Sequence, residues 1–80
     1  MKFTIQEIES VGFKLISNHK LWCHFRGFGF DLHINLDTTT TEGNLFNFKS
    51  YKSSFKGNFR VRLNSLEELR FILKATDVNN

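Results

Sequence analysis

Eighty residues are enough for one domain, residues 1–80, and a chain of this size buries about 60 to 65% of its unfolded surface. The composition, 40% hydrophobic and 24% charged, excludes a disordered chain, and the single cysteine excludes an internal disulfide. A net charge of +3 accompanies a sequence with no apolar run of about 18 residues and no signal-like start, so we expect a cytoplasmic protein without a membrane partner.

The first predicted element is a short helix at residues 5–10. Thr4 and Glu7 have the spacing of a capping box, in which each side chain accepts a bond from a free backbone amide. Gly12 can end the helix in the left-handed conformation. Apolar residues recur at helical spacing: Ile5, Ile8 and Val11. Because two turns are not stable alone, this helix must pack on an apolar surface.

Residues 12–17 are predicted to be extended and to form a hairpin with the next strand. A three-residue loop at 18–20 places Phe13 and Leu15 on the core face, whereas a two-residue loop places them on the opposite face. We favour the three-residue loop, which leaves Ile16 outside.

The most regular alternation lies in residues 21–36. Every second residue is apolar over its second half: Phe28, Phe30, Leu32, Ile34 and Leu36. This period of two predicts a half-buried strand. A two-residue loop at Arg26 and Gly27 then produces a hairpin whose core-facing pairs are Leu21–Leu32, Cys23–Phe30 and Phe25–Phe28.

The opposite face of this hairpin carries the polar and aromatic residues. Its predicted pairs are Lys20–His33, Trp22–Asp31 and His24–Gly29. In this register His24 and His33 are four residue-pairs apart, too far for one metal ion at about 3.4 Å per residue. Cys23 and His24 point to opposite faces of the strand, so we predict no metal site.

Two further strands are predicted after a polar segment. Residues 37–44, DTTTTEGN, read as an exposed connection, although four threonines also favour an extension of the strand. Strands follow at 45–51 and 59–63, and Phe55 between them is either a core residue or an exposed contact. The inward-facing residues alternate with polar ones: Phe46, Phe48, Phe59, Val61 and Leu63.

A second helix is predicted at the end of the chain. Ser65 and Glu68 form another capping box, so the helix starts at Asn64 or Ser65. Its apolar stripe consists of Leu66, Leu69, Ile72 and Leu73. Phe71 lies nearly opposite this stripe, which predicts an exposed aromatic ring.

The order α-β-β-β-β-β-α predicts an α+β fold: a curved antiparallel sheet of about five strands, with two helices covering one face. We expect a protein that is not an enzyme and needs no cofactor. Ser50, Ser53 and Ser54 have no neighbouring histidine or acid, and Gly27 and Gly29 lack the rest of a phosphate-binding loop.

The positive charge is concentrated in one segment. Residues 45–63 contain five cations and no acid: Lys49, Lys52, Lys56, Arg60 and Arg62. Residues 1–44 hold four cations against five acids, and residues 64–80 hold two against three. Clustered charge on a small domain indicates a partner of opposite charge.

These patterns predict a binding protein that recognises a negatively charged macromolecule, either single-stranded nucleic acid or an acidic protein surface. The candidate binding residues are aromatic or cationic: Trp22, His24, His33, Lys49, Tyr51, Lys52, Arg60, Arg62 and Phe71. The alternative is an inhibitor or adaptor of a larger protein, for example a phage or mobile-element counter-defence protein that occludes a host complex, with exposed aromatic anchors. A homodimer is a third interpretation. The strand order, which decides whether the candidates share one surface, is left open.

Overall fold

Two helices flank five strands in the computed structural model, which describes residues 3–19, 21–35, 43–51 and 57–76. The elements are α1 (Ile5–Val11), β1 (Lys14–Asn18), β2 (Trp22–Gly27), β3 (Phe30–Asn35), β4 (Asn44–Ser50), β5 (Asn58–Leu63) and α2 (Leu66–Thr76). All neighbouring strands are antiparallel, and the sheet order follows the chain, β1-β2-β3-β4-β5. The sheet is an open meander.

Both helices begin with the predicted capping box. At α1, Thr4 Oγ1 accepts a bond from the Glu7 amide at 3.1 Å, and the Thr4 amide donates to Glu7 Oε1 at 2.8 Å. At α2, Ser65 Oγ accepts from the Glu68 amide at 3.2 Å, and the Ser65 amide donates to Glu68 Oε1 at 3.1 Å. These bonds satisfy amides that the first turn of a helix leaves without partners.

The core lies between the sheet and the helices. Both helices contribute to it, and their buried residues are Ile8, Leu69 and Leu73. The other buried apolar residues come mainly from the strands: Phe3, Phe13, Cys23, Phe25, Phe30, Leu32, Ile34, Phe46, Phe48 and Leu63. Phenylalanine rings fill much of this space, with Phe48 stacked on Phe59 at 4.7 Å and Phe3 edge-on to Phe46 at 5.0 Å. The predicted α+β fold, with both helices on one face, is confirmed.

The register predicted for the central hairpin is wrong. Its turn consists of Phe28 and Gly29, with φ of 54° and 81°, not of Arg26 and Gly27. The turn lies two residues further along, an even displacement, so Cys23, Phe25 and Leu32 still face the core. Every cross-strand partner changes, however. The observed pairs are Trp22–Asn35, Cys23–Ile34, His24–His33, Phe25–Leu32, Arg26–Asp31 and Gly27–Phe30.

Packing and pairing explain the later turn. It extends β2 to Gly27 and brings Arg26 opposite Asp31 in the ladder with β3. The left-handed conformation is costly for a bulky residue such as Phe28, but its ring packs edge-on against Phe13 at 5.1 Å. Leu21 and Phe28, both predicted in the core, are 57% and 47% exposed.

The first hairpin also differs from the prediction. His19 and Trp22 exchange two backbone hydrogen bonds, of 2.8 and 3.1 Å, across a two-residue connection. A β-bulge at Ile16 offsets the shorter loop, so Leu15 still pairs with Phe25 on the core side, and Phe13 is buried. The predicted three-residue loop is wrong, whereas the assignment of Phe13 and Leu15 to the core side is confirmed.

Several predicted features lie outside the described residues: Leu36, the threonine-rich connection 37–42, the connection 52–56 with Phe55, and the tail 77–80. Among the residues that are described, no helix has the length and apolar character needed to cross a membrane.

Candidate functional site

The face of the sheet turned away from the helices, called the outer face here, carries three cross-strand rows of side chains. The charged row is Lys14, Arg26, Asp31, Lys49 and Asn58. The central row is Ser17, His24, His33, Asn47 and Arg60. The third row is Trp22, Asn35, Leu45 and Arg62. Since neighbouring strands are about 4.8 Å apart, a row of five residues spans about 19 Å.

Cations dominate the outer face. Its rows contain five exposed cations, Lys14, Arg26, Lys49, Arg60 and Arg62, and one acid, Asp31. The two helices carry the opposite balance, with four acids against two cations. The described part of the molecule therefore has a cationic sheet face and a helical layer with a net negative charge, so its electric field attracts anions to the sheet side.

The single acid of these rows is held by two neighbouring donors. One oxygen of Asp31, Oδ1, accepts from Arg26 Nε at 2.9 Å and lies 2.9 Å from His24 Nε2. Burial works to raise the pKa of Asp31, but the hydrogen bonds with His24 and Arg26 and the positive charge of Arg26 hold this pKa below its usual value. The carboxylate therefore stays ionised and offsets part of the neighbouring positive charge.

Two imidazole rings occupy the middle of the outer face. His24 and His33 are direct cross-strand partners, with ring centroids 4.3 Å apart and an angle of 9° between the planes. The prediction that they lie four residue-pairs apart is wrong, because it used the earlier turn. Burial lowers the pKa of His33, the charges of His24 and Lys49 lower this pKa further, and Asp31 acts in the opposite direction.

Metal binding and thiol chemistry find no support in the described ranges. No group of three or more histidine, cysteine or acidic side chains there has the geometry of a metal site. Cys23 is buried on the core side, where its thiol donates to Asn18 Oδ1 at 3.3 Å. Burial raises the pKa of this thiol, which disfavours the reactive thiolate.

Aromatic rings lie at both ends of β2 on the outer face. Trp22 is the first residue of the strand, and His24 and Arg26 follow on the same face at intervals of about 7 Å. Arg26 Cζ lies 5.6 Å from the centre of the Tyr51 ring, a cation–π contact. The Tyr51 amide donates to the carbonyl of Gly29 at 3.0 Å, which holds Tyr51 beside the hairpin turn.

The structure brings most of the predicted site residues together. Those on or beside the outer face are Trp22, His24, His33, Lys49, Tyr51, Arg60 and Arg62. Phe71 is 71% exposed on α2, in the helical layer, where it lines an open groove with Val61, Arg62 and Ile72, so Arg62 is the member of this set that lies nearest to it. Lys52 lies outside the described residues.

Two cations of the outer face were missed by sequence reasoning. Arg26 was placed in a turn, although a turn two residues later keeps the same alternation and places Arg26 opposite Asp31. Lys14 stands at a polar position of β1 opposite Arg26, and the alternation around Phe13 and Leu15 was sufficient to place it outside. Pairing the central hairpin around the turn at Phe28 and Gly29 as well would have placed Arg26 on the outer face, and alternation alone would have placed Lys14 there.

Comparison with protein-family models, curated proteins and solved structures gave no match to this chain.

Proposed function

We propose that the protein binds single-stranded nucleic acid on the outer face and does so without catalysing a reaction. The observation that carries this proposal is the convergence of five exposed cations and several aromatic rings on one open sheet face. Sheet surfaces that bind single strands combine cations that follow the phosphates with rings on which bases stack.

The cations are spread widely enough to follow a strand of phosphates. Lys14 and Arg26 lie on β1 and β2, Lys49 on β4, and Arg60 and Arg62 on β5. The charged and central rows each extend about 19 Å across the sheet. Arginine can offer a phosphate two parallel hydrogen bonds, whereas lysine acts as a point charge.

The aromatic side chains supply the second component. Trp22 and Tyr51 lie near opposite ends of β2, with the stacked histidines between them. Stacking of a base on such a ring contributes about 1 to 3 kcal/mol. The position of the helices favours single strands over a duplex, because both helices lie on the other side of the sheet and neither is placed to enter a major groove.

Binding can be measured by fluorescence anisotropy of a labelled oligothymidylate, in parallel with the emission of Trp22, the only tryptophan of the chain. We expect quenching of Trp22 and an affinity that falls as salt rises. If four phosphates are neutralised, the logarithm of the association constant should fall with a slope of about −3 against the logarithm of salt concentration. Absence of salt-dependent binding at low ionic strength would contradict the proposal.

A competition with polyglutamate separates this proposal from its alternative. An acidic protein surface presents carboxylates but no bases, so it cannot use the stacking positions. We expect polyglutamate to compete much more weakly than unlabelled oligothymidylate at equal concentrations of charge. Equal competition would favour an inhibitor or adaptor that binds an acidic protein surface.

A further inference from the structure

The stacked histidines lie in the central row of the outer face, with cations in the rows on both sides. Attraction of an anion to this face needs only the cations and does not require two stacked rings. The two rings are nearly parallel, 4.3 Å apart, and lie in the middle of the sheet on β2 and β3. Asp31 holds His24 through the contact of 2.9 Å with Nε2, which fixes the orientation of that ring. The His24 side chain is 21% exposed, so the pair remains accessible from the outer face.

We propose that the His24–His33 pair is the central phosphate site of the outer face and takes up one proton when a phosphodiester of single-stranded nucleic acid binds. This inference rests on the proposed function. It adds a defined binding position and a coupling between binding and pH.

Charged groups surround the pair on all five strands. The cations nearest in the register are Arg26 on β2, Lys49 on β4 and Arg60 at the end of the central row. Lys14 lies on β1 next to Arg26 in the charged row, and Ser17 and Asn47 flank the pair without charge. The only acid in these rows is Asp31, already bonded to His24 and Arg26. An added proton on the pair therefore meets mainly positive neighbours.

Burial and two neighbours, the adjoining His24 ring and the charge of Lys49, lower the pKa of His33 in the free protein and so disfavour a proton on that ring until an anion arrives. A bound phosphodiester adds a negative charge beside the rings and so favours the imidazolium form. Two charged rings 4.3 Å apart would repel each other, so we expect a bound phosphodiester to add one proton to the pair and not two.

The sign of the pH dependence follows from this coupling. In this proposal the pKa of His33 is higher in the complex than in the free protein, so affinity is greatest below the lower of these two pKa values. Affinity is lost as pH rises through the higher one. The phosphodiester stays ionised throughout, and the lowered pKa of Asp31 keeps its carboxylate charged, so neither contributes to the change. A rise of one pKa unit on binding corresponds to about tenfold in affinity.

The test compares the three histidines of the chain. Affinity for oligothymidylate is measured between about pH 5.5 and 8 at constant ionic strength, for the native protein and for His24→Gln, His33→Gln and His19→Gln. We expect about tenfold tighter binding at the acidic end for the native protein. His33→Gln and His24→Gln should each lose most of this dependence. His19→Gln should keep it, because His19 lies in the β1–β2 turn, outside the pair.

Two controls keep the outcomes distinct. Thermal melts of each variant at both ends of the pH range show that binding is compared between folded proteins. Histidine NMR signals report the proton directly, and we expect the pKa of His33 to rise when oligothymidylate is added. Binding that does not change with pH, or that changes equally in His33→Gln and His19→Gln, would overturn the phosphate site while leaving the proposed function intact. No binding at any pH would overturn both.

Discussion

Asp31 illustrates how one residue sets the charge of the outer face. Its Oδ1 atom contacts two donors of β2, His24 and Arg26, each at 2.9 Å, and its side chain is only 19% exposed. A carboxylate in this position offsets part of the local positive charge and holds the side chains of His24 and Arg26 in a fixed arrangement. Lys49, the cross-strand partner of Asp31, remains exposed beside it.

The first prediction concerns the contribution of this carboxylate to stability. The pKa of Asp31 is lower in the folded protein than in the unfolded chain, so its stabilisation is present above about pH 4 and is lost as pH falls through the folded-state pKa. Asp31→Asn should lower the free energy of unfolding by about 1 kcal/mol at pH 7. The difference from the native protein should shrink toward zero near about pH 2.

Urea denaturation followed by Trp22 emission measures this difference at both pH values. Glu9→Gln removes an exposed acid of α1 and is the matched control, for which we expect a change within about 0.5 kcal/mol. A deficit of Asp31→Asn that is the same at pH 7 and pH 2 would show that the charge of Asp31 is not responsible.

At the scale of elements, the central hairpin shows what alternation can predict. Alternation assigns each side chain to a face, and that assignment survives an even displacement of the turn, so Cys23, Phe25 and Leu32 were placed correctly. The partners of each residue depend on the turn itself. Two dipeptides that end in glycine, Arg26-Gly27 and Phe28-Gly29, can each form this turn. The contact between Phe28 and Phe13 that accompanies the later turn is tertiary, so the local sequence does not reveal it.

This limit explains why the candidate site was predicted only in part. The residue types of the outer face follow from alternation, whereas the stacking of His24 on His33 and the bond from Arg26 to Asp31 require the correct register. The bulge at Ile16 could not be predicted either, because it compensates for a loop length that the sequence leaves undecided.

The second prediction separates the two faces of α2. Phe71 is exposed and Leu69 is fully buried two residues earlier. Phe71→Ala should change the free energy of unfolding by no more than about 0.5 kcal/mol. Leu69→Ala should cost about 2 to 5 kcal/mol, because it leaves a cavity in the core. Because α2 lies behind the sheet, Phe71→Ala should also leave the affinity for oligothymidylate unchanged.

Chemical denaturation and anisotropy measure both properties of these variants. A large loss of stability in Phe71→Ala would mean that its ring packs against apolar side chains of the protein. A loss of oligonucleotide binding without a loss of stability would extend the interface to the helical layer.

At the scale of the whole molecule, the order of the strands brings the cations and rings of the outer face onto one surface. Alternation predicted which residues of each strand point outward but not which strands are neighbours. The meander places β3 and β4 side by side, so the histidines of the first half of the chain adjoin the basic segment of the second half. The row from Ser17 to Arg60 is the direct result.

The third prediction concerns association of the whole protein. β1 and β5 are the edge strands of the sheet. A bulge interrupts β1 at Ile16, and β5 carries Arg60 and Arg62, whose charges would face like charges in a self-paired edge. We expect a monomer by light scattering at low salt. A dimer under these conditions would mean that another surface, the outer face included, mediates self-association.

The fourth prediction distinguishes a localised interface from general attraction to a basic protein. Lys49→Gln combined with Arg60→Gln removes two cations from the outer face. Arg70→Gln combined with Lys74→Gln removes two exposed cations from α2 and changes the net charge by the same amount. If the outer face binds the phosphates, the first pair of substitutions should reduce the slope of log affinity against log salt by about 1.4, because two phosphate contacts are lost.

The second pair should leave that slope unchanged, because α2 packs on the far side of the sheet from the outer face. The two double variants are compared by oligothymidylate titration at several salt concentrations, after thermal melts show that both are folded. Equal losses would indicate that affinity depends on net charge alone. A loss confined to the Lys49 and Arg60 variant would assign the phosphate contacts to the outer face, since only the position of the removed charges differs between the two proteins.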